Sequence, residues 1–145
     1  MKRISLFYFC LIASTFFSSC FSQKLDNTSI RTTVKLWLSD EAKATEVYGH
    51  ISDWDVSNVS KMDSLFLEAN SFNSDLSNWD VSNVTDMCRM FNRANSFNSD
   101  LSKWDVSNVT NMQGMFSRAK SFNSDLSKWD VSNVTDMSYM FSGAD

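Results

Sequence analysis

The chain has 145 residues, of which 43% are apolar and 21% charged, a balance that fits one folded domain and excludes a disordered chain. Its net charge of −4 argues against nucleic acid as a partner, because phosphates call for basic clusters. There is no proline and there are only three glycines, so Asn, Asp and Ser must supply the turns that Pro and Gly usually supply.

In chain order, the first element is an export signal over residues 1–22. Lys2 and Arg3 precede the apolar run "ISLFYFCLIASTFF" from Ile4 to Phe17, a charged n-region and a short h-region rather than a membrane span. Two exits from this signal are open. "FSSC", ending at Cys20, resembles a bacterial lipobox in which the cysteine receives lipid, although Phe17 stands where an aliphatic residue is commoner. Alternatively, cleavage after Ser22 leaves Gln23 as the new N-terminus. Either way the two basic residues leave with the signal, and 11 basic residues face 17 acidic ones. Cys88 is then the single cysteine outside the signal, so no internal disulfide is expected.

Residues 23–50 are expected to form a helical cap. In "TSIRTTVKLWL" (residues 28–38) Ile30, Val34, Trp37 and Leu38 make one apolar helical stripe. A second short helix is expected from Asp40 to Tyr48, stopped by Gly49. Trp37 should plug the open end of whatever follows.

Residues 51–145 form a tandem array. "WDVSNV" begins at Trp54, Trp79, Trp104 and Trp129, 25 residues apart each time. The last copy ends at Asp145 inside a repeat, the mark either of a truncated product or of a piece of a longer array. Around the tryptophan the apolar rhythm has period two, with Trp129 and Val131 on one side and Lys128, Asp130 and Ser132 on the other; this predicts a short half-buried strand. Beyond it, Met137, Met140, Phe141 and Ala144 fall at i, i+3, i+4 and i+7, which predicts a short helix capped by Thr135 and Asp136. Arg93 and Arg118 would sit near the helix ends, and Asn70 and Asn95 would close them in a left-handed conformation. A strand, a helix and the return loop "SFNSDLS" in each copy predict an α/β, leucine-rich-repeat-like solenoid of parallel short strands and short helices. A lone copy buries too little apolar surface to offset its ordering entropy, so the array must fold as one unit.

"SDLSKWDVSNVTDMSYMF", together with "VKLWL" and "YGHISDWDVSNV" upstream, resembles the BspA-like leucine-rich-repeat surface proteins. More narrowly it is similar to their 25-residue subfamily first noted in mycoplasmas, whose biochemical role is undefined. The resemblance spans about residues 28–145. It implies a secreted or surface-anchored protein, and adhesion to host matrix is known for some BspA-like members.

The residues themselves offer little catalytic chemistry. His50 has no cysteine at ligand spacing, and it stands at the junction of cap and array, where a structural role suffices. Gly49, Gly114 and Gly143 make no phosphate loop. Asp55, Asp80, Asp105 and Asp130 recur at one position, with Asp75, Asp100 and Asp125 as a second column. Calcium could relieve the repulsion within a column; so could Lys103 and Lys128, two residues before Asp105 and Asp130, together with turn N–H groups. Asn58, Asn83, Asn108 and Asn133 open formal glycosylation triplets, but turn formation explains them as well. Cys88 aligns with Asp63, Gln113 and Ser138, positions expected to face solvent.

The expected function is that of an exported, non-catalytic scaffold for adhesion, with neither enzymatic activity nor a cofactor. Its partners would be extracellular proteins or glycans, not nucleic acid, and membrane contact would come only through lipid on Cys20. The binding residues expected are Asn78, Lys103 and Lys128, then Asp80, Asp105 and Asp130, then Ser82, Ser107 and Ser132. A calcium-stabilised structural repeat and a non-catalytic module of a longer surface enzyme are the alternatives.

Overall fold

The computed structural model describes residues 23–144; the export signal and Cys20 lie outside them. Two helices open the described chain, α1 (Ser29–Ser39) and α2 (Glu41–Tyr48), and a single 3-10 turn (Ile51–Asp53) leads into the array. Asp40 caps α2 by accepting from the Lys43 N–H, and Gly49 ends it at φ 76°, a conformation that favours glycine. On α1 the stripe Ile30, Val34 and Trp37 is buried, together with Thr33. Leu38 is not part of it and stays 43% exposed.

The α/β solenoid of parallel strands and helices is not what the array forms. Among the described residues there is no strand, and every helix lies before Trp54. Each copy is instead a closed course of tight turns. The copies touch as parallel pairs at isolated single residues, Lys61 with Asp86, Asp86 with Asn111, and Asn111 with Asp136.

The expected helix fails for a definite reason. In the first copy the N–H groups of Leu65, Leu67 and Ala69 donate three residues back, to Met62, Ser64 and Phe66. The alternate N–H groups of Met62, Ser64, Phe66 and Glu68 donate to Asp86, Cys88, Met90 and Asn92 of the next copy at 2.8–2.9 Å. An α-helix would use all of these donors internally, four residues back, and leave none for the neighbour. The course is made possible by left-handed residues four apart: Ser64 and Glu68, Arg89 and Arg93, Gly114 and Arg118, Tyr139 and Gly143, with φ between 54° and 68°. Asn70 and Asn95 are not among them. The apolar spacing i, i+3, i+4, i+7 is satisfied all the same, because a run of tight turns also returns to one side every three to four residues. Met87, Met90, Phe91 and Ala94 are accordingly all fully buried.

The expected strand fails differently. Trp104 and Val106 are buried and Asp105 is exposed, so the alternation is real. Yet among the described residues no main-chain hydrogen bond joins Trp–Asp–Val of one copy to the next. Turns close on both sides, Trp104 N–H to Leu101 and Val109 N–H to Val106. Side chains make the lateral bonds instead. The indole N–H of Trp79, Trp104 and Trp129 donates to the carbonyl of Ile51, Leu76 and Leu101 at 2.8–3.0 Å. The amides of Asn83, Asn108 and Asn133 donate to the carbonyls of Ser57, Ser82 and Ser107.

Between these layers runs an aromatic core. Phe66, Phe91, Phe116 and Phe141 stack in sequence at 5.3–5.7 Å, and Phe72, Phe97 and Phe122 form a second file at 5.8–6.0 Å. The two files meet within each copy, as in Phe91–Phe97 at 3.9 Å. Offset or stacked aromatic pairs add to the energy of plain burial. In the last copy Val131, Met137 and Phe141 are 37–51% exposed, since no layer among the described residues lies on them.

The first layer is sealed from the other side by the N-terminal segment. Trp37 packs edge-on against Trp54 at 5.7 Å and His50 at 5.1 Å. The Asn27 side-chain oxygen accepts from both Ser60 and Lys61 N–H. In later copies that place is taken by a backbone carbonyl, as where Thr135 and Asp136 donate to Thr110. One amide side chain thus substitutes for a missing layer.

Candidate functional site

Every residue expected to bind a partner lies at the surface of the stack, in two kinds of environment. Asp80, Asp105 and Asp130 are exposed, but each is tied down locally, accepting the N–H of Ser82, Ser107 and Ser132 at 3.0–3.1 Å. These are Asx turns, which lock the chain direction after the tryptophan. The Ser82 hydroxyl also donates to Asp80, at 2.6 Å. The Asp105 carboxyl is held below its ordinary pKa by the Ser107 hydroxyl and N–H, and the Asp130 carboxyl by the Ser132 N–H and hydroxyl; the charge of Asp130 opposes the lowering at Asp105.

Asn78, Lys103 and Lys128 are exposed. The lysines act on the return loop rather than on the tryptophan turn. The charge of Lys103 helps to lower the Asp100 pKa, after the Ser102 hydrogen bonds, and that of Lys128 does the same at Asp125, after those of Ser127. Among the described residues no group of three or more His, Cys, Asp and Glu side chains could hold a metal ion. The carboxylates are instead satisfied one by one by their own turns.

Cys88 is half-buried rather than exposed. Its thiol lies 3.6 Å from the Gln113 side-chain oxygen, and burial pushes its pKa up. His50 serves the junction: its Nδ1 accepts from Ser52 N–H and lies 2.8 Å from the Ser52 hydroxyl.

A concavity lies elsewhere, on the turn run that replaces the expected helix. It is an open groove of about 550 Å3 crossing four successive copies. Three arginines line it: Arg89, Arg93 and Arg118. Arg93 pairs with Glu68 at 2.8 Å, while Arg89 and Arg118 have neither an ion pair nor a side-chain hydrogen bond among the described residues. Gln113, Ser117 and Tyr139 contribute to the walls. Gly114 lines the groove, and Gly114 and Gly143 lie beside two of its arginines, with room for a Cβ at ordinary contact distance. A Cβ at 114 would meet Arg89 Cγ at 3.7 Å, and one at 143 would meet Arg118 Cγ at 3.4 Å.

A signal for this groove was present in the repeat itself. The framework letters hardly change between copies, but Ser64, Arg89, Gly114 and Tyr139 share one position, Glu68, Arg93, Arg118 and Gly143 another, and Leu67, Asn92, Ser117 and Ser142 a third. Positions that vary within a constant frame are those that packing leaves free.

Fold and surface together define a tandem-repeat protein whose copies of tight turns stack as layers linked by hydrogen bonds. The chain belongs to the family described as Mycoplasma protein of unknown function, DUF285, whose model matches residues 36–145. No curated protein and no solved structure matches the chain. No helix among the described residues is long and apolar enough to cross a membrane.

Proposed function

We propose that the protein is an exported, non-catalytic scaffold that binds extracellular proteins or glycans, and that within its family it is kin to the BspA-like surface proteins. The observation that carries this reading is the rigidity with which one-repeat spacing is imposed on the surface. Main-chain and side-chain ladders link each layer to the next, so Asn78, Lys103 and Lys128 and the variable turn positions are held at fixed intervals. Many weak polar contacts at matched spacing give useful avidity to a repeating partner. Export rests on the n-region and h-region of residues 1–22, with Cys20 as the acceptor for lipid if that exit is used.

The test is a binding screen of the purified chain against extracellular-matrix proteins and a glycan array. Saturable binding to at least one partner is expected. Binding to none, by a chain that melts cooperatively, would remove the scaffold reading. Radiolabelled palmitate incorporated in a bacterial host, and lost in Cys20→Ser, would establish the lipid anchor.

A further inference from the structure

We propose that the groove lined by Arg89, Arg93 and Arg118 is a binding site for an anionic polysaccharide, its guanidinium groups receiving carboxylate or sulfate oxygens. This inference rests on the scaffold reading and names the ligand class that the scaffold takes.

Three observations converge on it. The first is charge. The groove gathers three arginines against one acidic residue, Glu68, on a chain whose net charge is −4. A local positive site on an acidic protein is not a by-product of composition. Arg89 and Arg118 have no anionic partner of their own among the described residues, and guanidinium forks match planar or tetrahedral oxyanions.

The second is backbone conformation. Arg89, Arg93 and Arg118 sit at φ 54–59°, in the left-handed region that disfavours side chains. Gly114 and Gly143 occupy those same positions in the following copies, and Ser64, Glu68 and Tyr139 take the same conformation there, so the turn run imposes it on whatever residue it carries. Glu68, Arg89, Arg93, Gly114, Arg118 and Tyr139 of this left-handed set line the groove, so the backbone conformation itself places the arginines along it.

The third is the remaining lining, which separates a polysaccharide from an acidic peptide. Gln113, Asn92 and Ser117 carry groups that both donate and accept, as sugar hydroxyls require, and Tyr139, 74% exposed, offers a ring face at the rim. Leu67 alone supplies an aliphatic wall, whereas peptide recognition relies on buried apolar anchors. Because the groove crosses four copies and repeats its arginine position from Arg93 to Arg118, it suits a polymer carrying charge at intervals.

The experiment is titration of the full chain with heparin and, separately, with polyglutamate and with neutral dextran, at two salt concentrations. Arg89→Gly and Arg118→Gly are the variants, because glycine already stands at both positions elsewhere in the array and folding is preserved; melting temperature verifies this. Heparin binding that weakens with salt, and about tenfold with each substitution, is the expected result. Heparin binding unchanged in both variants but lost in Lys103→Gln with Lys128→Gln would overturn the groove and leave the scaffold reading standing. So would absence of heparin binding in a chain that captures a neutral glycan or a matrix protein. Preferential binding of polyglutamate would replace the polysaccharide with an acidic peptide. Failure to bind any of these, or any member of the screen above, would remove both readings.

Discussion

Single residues in this protein act mostly by closing hydrogen bonds that the fold would otherwise leave open. The tryptophan shows it best. Trp104 is buried, and its indole N–H reaches the Leu76 carbonyl at 3.0 Å, so the side chain is both a core filler and a link to the previous copy. Trp104→Phe keeps most of the apolar area but removes one of that carbonyl's two donors, the Trp79 N–H remaining in place. A loss of about 0.5–1.5 kcal/mol is expected, measured as a lower midpoint in urea. The aspartates act locally and respond to pH. Asp105 and Asp130 have folded pKa values below their ordinary ones. The stabilisation they give is therefore complete above the unfolded carboxylate pKa of about 3.9 and is lost as pH falls through the lower folded value. Melting temperature should hold steady down to about pH 5 and then decline with acid. Asp105→Asn preserves an Asx-turn acceptor while removing the titration, so its acid decline should be shallower than that of the parent; an equally steep decline would assign the acid sensitivity to other groups.

At the scale of the element, the two ends of the array are solved by different devices. The N-terminal cap joins a packed plug, Trp37, to the Asn27 oxygen that serves both Ser60 and Lys61 N–H. Arg31 adds bonds to the Asp63 carbonyl and carboxylate. Asn27→Ala should cost about 1 kcal/mol, as the removal of a capping side chain does at a helix N-terminus. Amide exchange at Ser60 and Lys61 should rise while exchange at Thr110 stays slow; uniform change along the chain would show that the cap is not a local device. The expected helices of the array are absent because their donors serve a neighbour. A helical stripe marks burial on one side, and a turn run with left-handed residues four apart buries the same side. The letters Met87, Met90, Phe91 and Ala94 do not distinguish the two; Arg89 and Arg93 at positive φ do, and nothing in an arginine announces that conformation.

At the scale of the whole molecule, the protein is nearly one-dimensional. Each copy bonds to its neighbours through ladders of one register, and stability is expected to add layer by layer. Excision of residues 97–121 removes one full period and rejoins equivalent positions. The shortened chain should fold, with a lower melting temperature and a smaller urea m-value, because less surface is exposed on unfolding. Excision of residues 97–108 breaks the register of both phenylalanine files and should abolish cooperative melting. Equal outcomes for the two deletions would refute the layered account.

From the letters alone come the period of 25, the copies as layers of one stack, the apolar Trp–Val and Met–Met–Phe–Ala stripes that are buried in the inner copies, and the amphipathic stripe of α1. All of these depend on which side chains avoid water, and hydrophobic patterning records that directly. The local fate of the backbone was decided only in three dimensions. Strand, helix or turn run would bury the same residues, and the choice falls to whichever lets N–H groups reach the adjacent layer. The arginine groove belongs to the same level. Arg93 and Arg118 are 25 residues apart in the chain, and stacking, which superposes such positions, brings them together with Arg89 along one groove.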